Sequence, residues 1–242
     1  MRFGIFGIPV HVKWTFWLMT ALLSAGSLFS KMPDAPIQFA SWVIAVFISI
    51  LWHELGHAVF QRKYGLRTEI ELYHFGGLAK GSGRMLPRNQ DITVSAAGPA
   101  AGLLLGGVIL GISTYLISIG KFPDSQFLSS FVTQMIWINI AWSLINLAPV
   151  YPLDGGQIVN AINGSSKMRT TLKISIGAGI AVSIVGFVIG QSFMAMLFLF
   201  LTLQNYQRLQ GIDRPMFGGF PGGGNPGRGG FGGFPGGGRR SF

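Results

Sequence analysis

The sequence contains no cysteine and few charged residues. Without cysteine there are no disulfide bonds and no thiolate ligands for a metal ion. Only 11% of the 242 residues are charged, whereas an average soluble protein has about 25%. Hydrophobic residues make up 49% of the chain, and the mean hydropathy is +0.48. This balance excludes an ordinary soluble domain and indicates a protein that crosses a membrane several times.

Acidic residues are especially scarce, with 8 against 18 basic residues and a net charge of +10. In a membrane protein, basic residues mainly set the orientation, so we expect the bilayer and no nucleic acid as a partner. Glu54 and Asp154 are the two acidic residues that fall in strongly apolar surroundings. An ionisable group in a membrane is costly, which makes both residues functional candidates.

Six apolar stretches predict an all-α polytopic membrane protein with about six transmembrane helices. They cover residues 14–30, 37–64, 92–119, 126–147, 171–191 and 192–206. With six spans and a cytoplasmic N-terminus, every basic residue except Lys31 and Lys121 lies on the inner side. The positive-inside rule therefore predicts that both termini are cytoplasmic, and we expect a multi-pass protein of the cell (plasma) membrane.

Two segments between the spans have other patterns. Residues 68–73 alternate polar and apolar side chains, and Gly76 and Gly77 follow, which predicts a small β-hairpin or sheet at the membrane face. Residues 149–156 contain two prolines and two glycines, which argues against a regular helix there. We expect this Leu-Asp-Gly segment to be re-entrant and to line a cavity, since irregular backbone in a membrane must face protein or water.

The composition changes near the C-terminus. We predict a membrane domain over residues 1–210 and a Gly/Phe/Pro-rich disordered cytoplasmic tail over residues 211–242, because Phe-Gly-Gly-Phe-Pro-Gly-Gly-Gly occurs at 217–224 and again at 231–238. The tail contains few arginines, so its positive charge is only a weak indication of RNA binding. Contact with anionic lipid is the favoured interpretation of the tail.

The stretch around which the chain is organised is His53-Glu54-x-x-His57, at the end of the second span. On a helix both imidazoles share one face and can reach one metal ion, and Glu54 can act beside that ion as a general base. The alternative is two structural histidines bonded to the backbone. That alternative is disfavoured because two imidazoles and a carboxylate on one membrane-embedded face would all need partners.

A catalytic zinc ion usually takes three protein ligands. Asp154 is the favoured third ligand, since it lies in the apolar, cavity-lining segment. His74 on the predicted hairpin is a rival, and His11 is interpreted as an interfacial side chain.

The order and context of these motifs resemble the site-2 protease family of intramembrane zinc metalloproteases. The first motif is His53-Glu54-x-x-His57, and the second is Asn146-x-x-Pro149-x-x-Pro152-Leu153-Asp154-Gly155. The pairs Gly76-Gly77 and Gly98-Pro99 are also similar to that family. The similarity covers residues 1–206 and implies a minimal form without PDZ or CBS domains.

The resemblance also implies the site and its chemistry. One Zn²⁺ per chain would be held by His53, His57 and Asp154, with Glu54 as the catalytic base and spans two to four forming the core. Three further residues are expected to contact substrate or steady the oxyanion: Asn146, Gly76 and Gly77.

The expected activity is hydrolysis of peptide bonds in or near transmembrane segments of single-span membrane proteins or leftover signal peptides. The strand at 68–73 would offer an edge to an unwound substrate, and the site would lie near the cytoplasmic face. The alternatives are a metal-binding transporter and a catalytically inactive scaffold. An inactive scaffold is expected to lack Glu54 or a ligand, and a transporter is expected to show internal repeats.

Overall fold

The computed structural model describes residues 1–24, 34–74 and 76–211. The last six residues of the first predicted span and nearly all of the predicted tail lie outside these residues, so both remain predictions. The helices and strands, in chain order, are β1 (Arg2–Ile5), β2 (Ile8–Val12), α1 (Trp14–Leu23), α2 (Ala35–Lys63), β3 (Arg67–Tyr73), β4 (Gly76–Ser82), α3 (Arg88–Ser118), α4 (Gln126–Asn146), α5 (Asp154–Asn163), α6 (Met168–Val188) and α7 (Ser192–Leu209).

Helices α2, α3 and α4 pack against one another as the three-helix core that the resemblance implied. Small residues allow this close approach: a Cβ placed on Gly56 of α2 would lie 2.5 Å from the carbonyl oxygen of Ala97 on α3. Polar side chains also join the helices, since Asn139 Nδ2 donates to Ser49 Oγ at 2.8 Å. The core therefore combines apolar faces with a few buried hydrogen bonds.

Within the described ranges, four helices are long and apolar enough to cross a membrane: α2, α3, α4 and α6. Helix α1 is a shorter apolar helix over its ten described residues. Helix α7 has 18 residues but is not among the four. A mostly helical protein with several spans is thus confirmed, whereas the number six remains a prediction.

The sheet is larger than the predicted hairpin. Strands β3 and β4 form the expected antiparallel hairpin, but β2 pairs in parallel with β3, and β1 pairs with β2 in antiparallel fashion. The strand order is β1-β2-β3-β4. Because β3 is flanked on both sides, the prediction that residues 68–73 offer a free edge is wrong. The outer strand on this side is β4.

The turn end of the hairpin packs against the helical core. A Cβ on Gly77 of β4 would lie 2.3 Å from Glu54 Cγ on α2. At the hairpin turn, a Cβ on Gly76 would contact the ring of Trp142 on α4 at 3.8 Å. The end of the hairpin therefore reaches the level of the histidine motif.

The irregular segment before α5 is shorter than predicted. Helix α5 begins at Asp154, so Gly155 and Gly156 lie in its first turn. A Cβ on Gly155 would lie 2.1 Å from the carbonyl oxygen of Leu147, and one on Gly156 would lie 2.3 Å from the backbone nitrogen of Tyr151. These glycines are therefore needed for the close approach of α5 to the preceding loop, and they do not prevent a helix.

Candidate metal centre

Three side chains from distant parts of the chain meet in the helical core. His53 and His57 lie one turn apart on α2, and Asp154 is the first residue of α5; they are 5%, 8% and 7% exposed. His53 Nε2 lies 3.2 Å from His57 Nε2 and 3.1 Å from Asp154 Oδ2. His57 Nε2 lies 3.3 Å from Asp154 Oδ1. Their ligand atoms all lie within 4.8 Å of one another, so the group could hold one metal ion.

The geometry of this cluster fits a zinc ion. Tetrahedral zinc with bonds of about 2.0–2.1 Å places neighbouring ligand atoms about 3.3 Å apart. The three separations, 3.1, 3.2 and 3.3 Å, match this value. His57 Nδ1 lies 2.7 Å from the carbonyl oxygen of Val94, which can only accept a hydrogen bond. The proton of His57 is thus on Nδ1, and the lone pair of Nε2 faces the cluster.

Gly98 on α3 supplies the room that the His57 ring needs. A Cβ at this position would lie 2.2 Å from His57 Nε2, well inside any real contact. The same helix positions the ring through the Val94 carbonyl, one turn earlier. The Gly98-Pro99 pair noted in the sequence therefore belongs to the wall of the site.

Asp154 is placed by a loop that α6 and α7 hold on both sides. The backbone N–H of Tyr151 donates to Ser175 Oγ on α6 at 2.9 Å. The carbonyl oxygen of Tyr151 accepts from Asn205 Nδ2 on α7 at 2.6 Å. Val150, fully buried, packs against Phe198 of α7. The two C-terminal helices thus support the site without contributing a ligand.

Glu54 lies next to the three metal-binding side chains, and its side chain packs against Gly77 of strand β4. It is 6% exposed, and the backbone N–H of Ala79 lies within hydrogen-bonding reach of its carboxylate. Among the described residues, no lysine or arginine forms an ion pair with Glu54. Tyr73 lies at the end of β3, near Glu54. Burial is the main cause that raises the pKa of its phenol, and the negative charges of Glu54 and Glu71 add to this effect. The Tyr73 hydroxyl therefore stays protonated.

The other ring nitrogen of His53, Nδ1, faces a cluster of polar side chains that the sequence did not indicate. His53 Nδ1 is buried and has no hydrogen-bond partner within the described part of the chain, and the same holds for Asn139 Oδ1. Both residues line one small cleft together with Ser49 and Ser143. No motif contains Asn139; its spacing of four residues from Ser143 was the available signal, and it looks the same as ordinary helix periodicity.

The other residues that the sequence analysis singled out for the site lie in several different elements. Asn146 is the last residue of α4, and its Nδ2 donates to the Trp142 carbonyl of its own helix at 3.0 Å. Gly76 and Gly77 begin β4, with Gly77 against Glu54. His74 follows β3, and His11 lies in β2 beside Glu71. Neither of these two histidines joins the one metal-binding group that the described residues contain.

Together, the fold and the site define a multi-pass membrane protein with a buried metal centre of the zinc-peptidase type. The sequence profile of peptidase family M50 matches residues 41–122 and 112–190, and the chain belongs to this family. In structure it is similar to the site-2 protease from Methanocaldococcus jannaschii, with a TM-score of 0.60 and 26% identity over 86% of this chain and 94% of that chain.

Two curated relatives agree with this assignment. The zinc metalloprotease MJ0392 of Methanocaldococcus jannaschii is 29% identical over 208 residues, which is 84% of this chain and 57% of that protein. The protein sll0528 of Synechocystis sp. is 31% identical over 170 residues, 66% of this chain and 42% of that protein. The chain thus spans about half the length of the curated relatives it matches.

Proposed function

We propose that this protein is an intramembrane zinc metalloprotease that hydrolyses peptide bonds in or near transmembrane segments of other membrane proteins. The observation that carries the proposal is the meeting of His53, His57 and Asp154 in the helical core, with Glu54 beside them. A buried charged cluster in apolar helices is costly and serves chemistry by default. Membership of peptidase family M50 and the zinc metalloprotease relative support the reaction class.

The side chains divide the work of hydrolysis. His53, His57 and Asp154 hold the zinc ion, which when bound supplies Lewis-acid activation of water and of the scissile carbonyl. Glu54 accepts a proton from the attacking water as its oxygen bonds to the carbonyl carbon. The same carboxyl then gives that proton to the leaving nitrogen as the carbon–nitrogen bond breaks. Among the described residues no lysine or arginine pairs with Glu54, which leaves its carboxylate free to take the proton.

The substrate has to be extended at the site, because a helix hides its peptide bonds. Strand β4 takes over the role first expected of β3, since it is the outer strand and Gly77 lies against Glu54. A peptide that runs beside Gly76 and Gly77 passes the catalytic carboxylate. We expect single-span membrane proteins or leftover signal peptides as substrates, with Asn146 at the end of α4 steadying the substrate or the oxyanion.

The orientation follows from the charges. Arg62 and Lys63 close the last turn of α2, little more than one turn beyond His57. With both termini in the cytoplasm and six spans in the plasma membrane, these basic residues lie at the inner surface and the metal lies near the cytoplasmic face. Residues 211–242 would then be a cytoplasmic tail.

The test is a comparison of Glu54→Gln with wild type on a transmembrane model substrate in detergent with zinc. We expect cleavage to fall about 10²–10⁴-fold, the usual contribution of a general base, while zinc content by mass spectrometry is unchanged. Glu69→Gln is the matched control, because Glu69 is exposed on β3. Undiminished cleavage by Glu54→Gln would refute the proposal.

A further inference from the structure

Gln61 is a buried polar residue to which the proposed chemistry gives no role. It lies on α2, seven residues after Glu54 and four after His57, and it is 9% exposed. Residues at these spacings share one face of a helix. The face of α2 that carries the glutamate and the second histidine therefore also carries this amide.

One residue of β4, Ala79, is hydrogen-bonded to Gln61 and adjoins Glu54. Gln61 Nε2 donates to the carbonyl oxygen of Ala79 at 3.0 Å. The backbone N–H of Ala79 lies within hydrogen-bonding reach of the Glu54 carboxylate. In an antiparallel strand the N–H and C=O of one residue point to the same side, so Ala79, which is paired with Ile70, turns both groups away from β3 and toward α2.

Two glycines allow the strand to lie this close to the helix. A Cβ on Gly77 would lie 2.3 Å from Glu54 Cγ, and a Cβ on Gly81 would lie 3.2 Å from Gln61 Oε1. These glycines point to the same face of β4 as Ala79, since side chains alternate along a strand. Glu54 and Gln61 thus face the two ends of one short stretch of β4.

The second polar atom of Gln61 shows that packing alone does not account for the residue. Its Oε1 is buried and has no hydrogen-bond partner among the residues that the structure describes. An unpaired buried acceptor is unfavourable, and an apolar side chain of equal length would avoid that cost. The amide is therefore better explained by the use of its donor on Ala79.

We propose that Gln61 is a positioning residue for Glu54. By holding the Ala79 carbonyl it fixes the Ala79 peptide group, and the N–H of that group then holds the carboxylate in place for proton transfer. Without this anchor, β4 keeps its pairing with β3 but loses its polar attachment to α2 on the carbonyl side. The inference rests on the proposed role of Glu54 as catalytic base.

The experiment replaces the donor without changing the length of the side chain. Gln61→Met is compared with Gln134→Met, because Gln134 Nε2 also donates to a backbone carbonyl, that of Gln38 at 3.2 Å, and its Oε1 is likewise buried without a partner. We expect Gln61→Met to lower kcat at least about 10-fold with KM within about 2-fold, since small displacements of catalytic groups cost this much or more. Gln134→Met is expected to keep the wild-type kcat.

A second measurement does not depend on activity. Hydrogen exchange of the segment 76–82 in zinc-free protein is expected to be faster in Gln61→Met than in wild type, and unchanged in Gln134→Met. If Gln61→Met does not fold, Gln61→Leu serves instead, because leucine also has no donor for the Ala79 carbonyl.

Wild-type kcat in Gln61→Met, a loss in KM alone, an equal loss in both methionine variants, or unchanged exchange would each overturn the inference. Undiminished cleavage by Glu54→Gln would instead remove the proposed function. In that case the exchange data still show whether Gln61 holds β4.

Discussion

Two buried glutamates occupy neighbouring parts of this molecule and have opposite surroundings. Glu71, in the central strand β3, is 8% exposed and forms ion pairs with Lys13 and Lys80. Glu54, on α2, is 6% exposed, and the described residues offer it a backbone N–H and nearby imidazoles but no lysine or arginine partner. The two residues are similarly shielded from solvent, but their charges are compensated in very different ways.

The difference separates a structural carboxylate from a chemical one. Hydrogen bonds from Lys13 and then Lys80 hold the pKa of Glu71 below its usual value, so it stays ionised and joins the end of β2 to β3 and β4. A carboxylate that is buried without such partners costs stability, and proteins keep it where reactivity is needed. Glu54 is in this second situation, beside the metal ligands.

Among the variants that test this comparison without replacing either glutamate, the largest effect is expected from filling the space around Glu54. In Gly77→Ala the new Cβ would lie 2.3 Å from Glu54 Cγ, which forces the carboxylate or β4 to move. We expect cleavage to fall about 10²-fold with zinc content unchanged, because the base is displaced and the ligands are not. Gly4→Ala on β1 is the control, since its Cβ meets only an ordinary contact of 3.8 Å. Similar activity in both variants would show that the added methyl group does not displace the Glu54 carboxylate.

A smaller effect of a different kind is expected at Glu71. Glu71→Gln keeps the shape but loses the charge that pairs with two lysines. We expect a loss of about 1–2 kcal/mol in the free energy of unfolding, measured by thermal unfolding in detergent, with activity close to wild type. A catalytic defect with unchanged unfolding temperature would contradict the structural role of Glu71.

The pH dependence sharpens the same contrast. Because the pKa of Glu71 is lower in the folded protein than its ordinary value of 4.5, its contribution to stability is complete above that value. The contribution is lost as the pH falls through the lower folded pKa. The gap in unfolding temperature between wild-type protein and Glu71→Gln, both without zinc, should therefore close on acidification. A gap in unfolding temperature that widens toward low pH would contradict a lowered pKa of Glu71 in the folded protein.

The smallest effects are expected for the two lysines taken singly. The Lys13 side chain is 56% exposed and that of Lys80 is 35% exposed, so solvent screens the first pair more strongly. We expect Lys80→Met to destabilise the protein by less than about 1 kcal/mol and Lys13→Met by less still. Thermal unfolding of both variants beside Glu71→Gln measures the order. A larger loss for Lys13→Met would reverse our ranking of the two ion pairs.

Much of the site was predictable because its signals are local. The spacing of His53 and His57 places both imidazoles on one helical face in any context. Asp154 was identified from its apolar surroundings and from the motif it shares with a known family, and the alternation over residues 68–73 identified β3. Such patterns depend only on the geometry of one helix or one strand.

The parts that sequence reasoning missed depend on pairings between distant segments. Residues 1–13 did not indicate strands, because β2 is completed by parallel pairing with β3 across α1 and α2. Gly155 and Gly156 were interpreted as helix-breaking, whereas contact with the preceding loop makes them the start of α5. Ser175 and Asn205 carry no motif and are recognised only by their bonds to Tyr151.

By itself the sequence determined a chain of apolar helices that carries a histidine pair and a neighbouring glutamate, since composition and helical periodicity are properties of each segment alone. Only the tertiary structure decided that His53 meets Asp154, 101 residues away, at 3.1 Å, and that Ala79 of β4 lies between Glu54 and Gln61. The physical reason is that close packing through Gly56, Gly77 and Gly98 sets these distances, and a glycine in a sequence does not show which neighbour will occupy the space it leaves.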